Sequence, residues 1–170
     1  MKRKLICALL LTALVCGAAS CGGDKPAATT TKAAETAEAA KSSAAAADIT
    51  KAVLDEVPIN SSFEKKKESL EDYFDGLDVN TLADQSYFIC ASGAYPDEIA
   101  VFKFTDADAA AKAKPSVEGR LEYQKSSYKD YTPEEYYKLE DAVLEQHGEW
   151  LFYFVTSDNA KAKEIALGLI

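Results

Sequence analysis

The sequence predicts an α+β domain with an antiparallel sheet of about four strands, arranged as two hairpins, and helices packed mainly on one face of the sheet. Two observations lead to this prediction. Apolar residues recur at helical spacing in several segments after residue 48. Between these segments lie two pairs of short runs rich in aromatic and β-branched residues, and each pair is separated by turn-forming residues.

Two amphipathic helices are predicted at the start of the domain. Asp48 is a candidate N-cap for the first helix, and Pro58 ends it. Ser61 and Glu64 have the spacing of a capping box, which predicts a second helix that runs to Gly76.

The strand-forming runs are predicted to pair locally. Residues 87–91 and 99–104 are separated by a Ser, Gly, Pro and Asp-containing turn, which predicts one hairpin. Residues 142–147 and 150–155 are joined at Gly148 and predict a second. Because the run 150–155 is apolar without alternation, we expect it to be covered on both faces or to lie centrally in the sheet.

Helices are predicted again between and after the hairpins. A long helical pattern begins at Asp106, but Pro115 and Gly119 predict a kink or a break within it. Pro133 is suited to the first turn of a short helix, and a C-terminal helix is predicted to be capped around residues 157–159.

The N-terminus has the layout of a secretory signal. Residues 2–4 are basic and residues 5–15 are an apolar run that is too short to span a bilayer. The following Ala18-Ala19-Ser20-Cys21 resembles the lipobox of bacterial lipoproteins. We therefore interpret residues 1–20 as a lipoprotein signal peptide and Cys21 as the lipidated residue, which predicts a lipid anchor on the outer face of the bacterial cytoplasmic membrane. The alternative is a secreted protein with an incidental Cys21.

Composition divides the mature chain into two parts. Residues 21–47 comprise Cys21 and an Ala, Thr and Ser-rich stretch without aromatic residues, which predicts a disordered tether. Residues 48–170 form the predicted single domain, with 13 Lys and Arg against 25 Asp and Glu, a net charge of −12. This charge argues against a nucleic acid as the partner, because phosphate binding depends on Lys and Arg. Cys90 is the domain's single cysteine, so no disulfide forms within it.

Catalytic and metal-binding patterns are weak. His147 is the single histidine, and its combination with Cys90 as a catalytic dyad is less plausible than a turn histidine and a buried thiol. The acidic residues around Gly76 do not follow the spacing of a calcium-binding loop. We therefore predict no metal and no cofactor. Carboxylate pairs such as Asp97 with Glu98 keep open the alternative of a cell-envelope hydrolase that uses acidic residues.

A tyrosine-rich segment is the best candidate for a binding surface, because tyrosine combines a large contact area with a hydrogen-bonding hydroxyl. The candidate residues are Tyr123, Tyr128, Tyr131, Tyr136 and Tyr137. The alternative is that these tyrosines pack the helix onto the sheet. Arg120 is a candidate for binding an anion, although in so acidic a domain an internal ion pair with a carboxylate is the simpler expectation.

Several strings taken together resemble domain-of-unknown-function family 4358, a family of lipoproteins from Gram-positive bacteria. The strings are Asp48-Ile49, Asp97-Glu98-Ile99-Ala100-Val101-Phe102-Lys103, Arg120, Tyr131-Thr132-Pro133-Glu134-Glu135, Lys138-Leu139 and Gly148-Glu149-Trp150. The resemblance covers residues 48–170 and implies a surface location and a fold, but no activity. The sequence thus predicts a membrane-anchored, non-catalytic module that binds a protein, peptide or small molecule.

Overall fold

One antiparallel sheet of five strands organises residues 44–170, the part of the chain that the computed structural model describes. In chain order the strands are β1 (Ser62–Glu64), β2 (Leu82–Cys90), β3 (Glu98–Phe104), β4 (Val143–His147) and β5 (Trp150–Val155). The order in space is β1-β2-β3-β5-β4, so β3 is central. The helices are α1 (Ala46–Glu56), α2 (Ala107–Tyr131), α3 (Tyr137–Glu140) and α4 (Asn159–Leu167). The predicted signal peptide, Cys21 and residues 22–43 of the predicted tether lie outside the described residues.

Both predicted hairpins are confirmed. β2 pairs antiparallel with β3, and Tyr87 lies opposite Ala100. β4 pairs antiparallel with β5 through a tight turn in which Gly148 has a φ of 57°. That left-handed backbone conformation suits glycine, because a Cβ atom would be strained there. The α+β fold class is therefore confirmed, with five strands in place of about four.

β1 is the strand that the sequence did not predict. It occupies the place of the second predicted helix, so that helix prediction is wrong. Ser61 has a φ of 52°, whereas an N-cap residue has extended backbone. The next residues, Ser62–Glu64, pair with the end of β2 instead. A 3-10 segment of six residues, Lys67–Asp72, follows and buries Leu70. The physical reason is that the open edge of β2 supplies hydrogen-bond partners for an extended backbone, which a local capping pattern does not reveal.

Helices cover both faces of the sheet, which corrects the prediction that they pack mainly on one. The core under α2 includes Tyr87, Ala100, Phe102, Leu151 and Tyr153. The core under α1 and α4 includes Ile99, Val101, Phe152 and Phe154. Two covering layers are needed because β3 and β5 present apolar side chains on both faces. All six residues of β5 are buried, which confirms the prediction for the run 150–155.

A single helix of 25 residues, α2, spans Pro115 and Gly119, so the predicted break is wrong. Pro115 is exposed, and the helix is held against the sheet on both sides of it by buried Ala113 and Val117. We infer that this tertiary packing outweighs the roughly 3 kcal/mol that an interior proline costs a helix.

Within residues 44–170, no helix is both long enough and apolar enough to cross a bilayer.

The first helix begins at Ala46, two residues before the predicted cap at Asp48 and inside the predicted tether. The group that caps it comes from the sheet, because the backbone N–H of Ala46 donates to Oδ2 of Asp84 at 2.8 Å. Ala46 itself is buried. The last helix, α4, is capped by Asp158, within the predicted range of 157–159.

We expect Gly119→Ala to raise the free energy of unfolding by about 0.5–1 kcal/mol, because glycine is unfavourable in a helix interior. A Cβ atom at this position meets no other atom within 4 Å. Gly148→Ala is the matched control and should lower the free energy of unfolding by about 1 kcal/mol, since its positive φ strains an alanine. Urea unfolding of the full-length chain, followed by circular dichroism, measures both. Changes of the same sign in the two variants would contradict the prediction.

Candidate functional site

Two buried ion pairs lie at the start of the central strand. The carboxylate of Glu98 accepts from two atoms of the Arg120 guanidinium, with an Nε to Oε2 distance of 3.2 Å and a second contact from Nη2 to Oε1. The carboxylate of Asp97 accepts from Nζ of Lys138 at 2.8 and 3.0 Å. The Glu98 side chain is only 3% exposed and that of Arg120 15%. The strand is therefore joined to α2 by one pair and to α3 by the other.

Arg120 thus forms the internal ion pair that was the simpler expectation from the sequence. Burial by itself lowers the pKa of Arg120, but the hydrogen bonds and the charge of Glu98 outweigh it and raise the pKa. Burial likewise lowers the pKa of Lys138, and its contacts with Asp97 and Glu135 reverse that shift. Both cations consequently stay charged, which compensates the buried carboxylates.

A chain of neutral polar groups continues the buried network. The Tyr153 hydroxyl donates to the side-chain oxygen of Gln124 on α2, and the amide nitrogen of Gln124 donates to the carbonyl of Pro96 at 3.0 Å. Burial raises the pKa of Tyr153, and the charge of Glu98 adds to the shift. The network joins the sheet, α2 and the loop between β2 and β3.

The five candidate tyrosines occupy four places and do not form one surface. Tyr136 is half-buried against the core under α2. Tyr137, 47% exposed, lies beside the N-terminal end of α4. Tyr123, 63% exposed, lies near Arg120, and its ring centroid is 5.6 Å from the guanidinium carbon. Tyr128 and Tyr131 lie together near the end of α2.

The pair at the end of α2 contacts the backbone of a third tyrosine that the sequence did not single out. The Tyr128 hydroxyl shares its one proton between the carbonyl oxygens of Gly93 and Tyr95, at 3.1 and 3.0 Å. The ring of Tyr131 packs edge-on against that of Tyr128, with centroids 6.4 Å apart. Tyr131 is 68% exposed and Tyr95 39%. We call Tyr95, Tyr128 and Tyr131 the aromatic patch.

Tyr95 escaped the sequence reasoning because it lies 33 residues before Tyr128, in a turn. A bulky aromatic residue among the small and turn-forming residues of that loop was the available signal. The sequence also did not identify Glu98 and Asp97 as the ion-pair partners of Arg120 and Lys138. Nothing in the linear spacing pairs a strand residue with a residue of a distant helix.

The other candidate catalytic groups, Cys90 and His147, lie apart from each other, and each forms a hydrogen bond within the domain. Cys90 lies at the β2 end that pairs with Asp97, and its thiol donates to the carbonyl of Asn60 at 3.1 Å. His147 lies opposite Trp150, at the other end of the sheet, and its Nε2 is 2.9 Å from Oε1 of Glu145. The two residues of the conceivable dyad are therefore not brought together. No group of three metal-ligating side chains occurs in residues 44–170.

We expect Arg120→Leu to lower the free energy of unfolding by about 3–5 kcal/mol at pH 7, because it leaves the Glu98 carboxylate buried without a cation. Burial raises the pKa of Glu98 and Arg120 opposes that shift, so removal of Arg120 raises the pKa further. A carboxyl whose folded-state pKa is raised contributes folding stability that is lost as the pH rises through that pKa. The stability deficit of Arg120→Leu should therefore shrink on acidification. Urea unfolding over a pH series measures it.

Lys125→Leu is the control for this prediction, since Lys125 pairs with exposed Glu122 on the same helix at 3.1 Å. Exposed pairs contribute little, so we expect a change within about 0.5 kcal/mol. An equal loss in both variants, or a deficit of Arg120→Leu that does not vary with pH, would contradict the stated role of the buried pair.

No curated protein and no solved structure matches the chain. One family model matches residues 55–156, a range that contains both buried ion pairs and the whole aromatic patch. The family is described only as a domain of unknown function. Because this match spans more than half of the sequence and agrees with the resemblance found in its motifs, the chain belongs to the family Domain of unknown function (DUF4358).

Proposed function

We propose that this protein is a membrane-anchored, extracytoplasmic lipoprotein whose folded domain is a non-catalytic module that binds a partner protein or peptide. The lipid on Cys21 holds it at the outer face of the bacterial cytoplasmic membrane. The aromatic patch at the end of α2 is the binding surface. One observation carries the proposal. The tyrosine rings of this patch are exposed, and the Tyr128 hydroxyl holds the backbone of the loop that carries Tyr95.

Exposure of the rings supports binding, because the free energy falls when a partner covers a large aromatic surface and removes it from water. Tyr131 is the most exposed large hydrophobic side chain among the described residues. Tyrosine side chains are enriched at interfaces, where the ring is buried and the hydroxyl forms a hydrogen bond. The Tyr131 ring packs edge-on against the Tyr128 ring, and about two thirds of the Tyr131 surface is exposed to solvent.

Preorganisation supports binding in a second way. A mobile loop would lose conformational entropy when a partner orders it, and this loss reduces affinity. Here a bifurcated hydrogen bond from the Tyr128 hydroxyl holds the loop that carries Tyr95, and Gln124 holds the same loop through the Pro96 carbonyl. A partner would therefore meet a surface that is already ordered.

The anchor is supported by the sequence. The basic residues 2–4, the apolar run 5–15 and the small residues before Cys21 occur in the order of a lipoprotein signal. Two acyl chains, at roughly 0.8 kcal/mol per buried methylene, hold a protein on a membrane without basic residues. An anchored location suits a module whose partner is also at the cell surface.

The binding proposal is tested by placing a photo-reactive phenylalanine analogue at position 131 of the full-length protein in intact cells. Irradiation should crosslink one recurrent protein, identified by mass spectrometry, and Tyr95→Ala in the same chain should reduce its yield about tenfold. Lys51 provides the matched control position, because its side chain is 73% exposed and lies on α1. We expect no recurrent product there. Equal capture from positions 51 and 131, or no capture from either, would contradict the proposal.

The anchor is tested by Cys21→Ala in cells that produce the tagged full-length chain. We expect the variant to lose lipid labelling and to leave the membrane fraction or accumulate as the larger, unprocessed precursor, because the acylated thiol is absent. Cys90→Ala is the control and should be labelled and processed as the unmodified chain is, since the Cys90 thiol is buried. A Cys21→Ala protein that is still labelled and processed to the same size would contradict the proposal.

The alternative of a cell-envelope hydrolase stays a prediction from the sequence. Such chemistry uses two carboxylates held across a cleft. Asp97 and Glu98, the pair considered from the sequence, are each bonded to a basic side chain.

A further inference from the structure

A groove of about 450 Å³ lies between the turn after the 3-10 segment Lys67–Asp72 and the middle of α2, separate from the aromatic patch. Its volume falls in the range of roughly 300–1,000 Å³ that is usual for small-molecule sites. The lining residues that matter for its chemistry are Asp72, Tyr73, Asp75, Gly119, Arg120 and Tyr123. Gly119 leaves space on the helix side, where a Cβ atom would meet nothing within 4 Å.

The buried ion pair leaves hydrogen-bond donors of Arg120 unused. Glu98 takes one N–H each of Nε and Nη2, and no described residue accepts a hydrogen bond from Nη1. Arg120 lines the groove, and its guanidinium carbon lies 5.4 and 5.6 Å from the ring centroids of Tyr73 and Tyr123, which also line it, so Nη1 suits an acceptor on a bound molecule. Asp72 and Asp75 are exposed and supply acceptors on the opposite side of the groove.

The groups that line the groove disfavour a simple ion of either sign. An ammonium or guanidinium cation would pair with Asp72 and Asp75, but it carries no acceptor for the N–H groups of Arg120, whose own charge is balanced by Glu98. An anion would meet Asp72 and Asp75 and a domain with a net charge of −12. The groove therefore favours a neutral molecule that both donates and accepts hydrogen bonds.

Tyr123 contributes an exposed aromatic ring at the edge of the groove. A pyranose ring has an aliphatic face that packs on an aromatic ring and hydroxyls that both donate and accept. We propose that the groove binds a neutral carbohydrate, with the sugar face on Tyr123, hydroxyls donating to Asp72 and Asp75, and a ring or hydroxyl oxygen accepting from Nη1 of Arg120. This site is independent of the partner-binding surface proposed above.

The experiment is saturation-transfer difference NMR with the purified full-length chain in a detergent without a sugar headgroup. The probes are maltose, cellobiose and N,N′-diacetylchitobiose, each at millimolar concentration. At least one probe should receive saturation from the protein, strongest at its ring C–H protons, which contact Tyr123. Absence of transfer to all three disaccharides would overturn the proposal.

Three variants locate the binding. Tyr123→Ala should weaken it about tenfold, and Gly119→Gln should abolish it by filling the groove with a helix-compatible side chain. Tyr137→Ala is the matched control, because it removes an exposed tyrosine that lies outside both the groove and the aromatic patch, and it should bind as the unmodified chain does. Unchanged binding in the first two variants, or equal loss in all three, would overturn the proposal.

A charged probe separates this proposal from the nearest competing ligand class. Tetralysine should produce no saturation transfer, because its ammonium groups offer no acceptor to the N–H groups of Arg120. Transfer to tetralysine that is lost in Asp72→Asn would assign the groove to basic peptides and overturn the carbohydrate proposal. Failure of the sugar experiment leaves crosslinking at position 131 unaffected, so the two proposals fail separately.

Discussion

The buried pair of Glu98 and Arg120 is the interaction on which the arrangement of the domain depends. A carboxylate enclosed at the start of the central strand needs a cation within bonding distance, and a guanidinium that binds through two nitrogens fixes orientation as well as distance. The pair therefore fixes both the rotation of α2 and its position along the sheet. Asp97, the residue before Glu98, holds α3 in the same way through Lys138.

This constraint explains why tyrosine rings remain exposed. Glu98 is the first residue of β3, so the eleven residues of α2 after Arg120, roughly 16 Å at about 1.5 Å per residue, run toward the loop between β2 and β3. There Gln124 and Tyr128 bind that loop, and Tyr131, one turn further, is 68% exposed. The aromatic patch thus lies where the last turns of α2 reach the loop before the central strand.

Local patterns predicted the parts of the fold that local chemistry controls. The runs around Tyr87 and Phe154 formed strands because their residue types favour them, and Gly148 formed the turn between β4 and β5. The patterns failed where a distant element supplied the deciding contact. Ser61 follows a capping pattern but precedes a strand, since the edge of β2 was open to it. Pro115 lies within a continuous helix, since packing on both sides of it holds the helix to the sheet.

From the sequence alone came the signal and lipobox pattern, the acidic single domain, the α+β class, both hairpins and the family resemblance. Each depends on composition, on short-range spacing or on motifs that can be identified along the chain. Tertiary structure alone decided that helices cover both faces and that Glu98 is the partner of Arg120. It also decided that the five candidate tyrosines separate into a half-buried residue, a residue beside α4, a groove edge and an exposed patch. These depend on contacts between residues about 20 to 40 positions apart, whose energies arise only when burial removes the charges and rings from water.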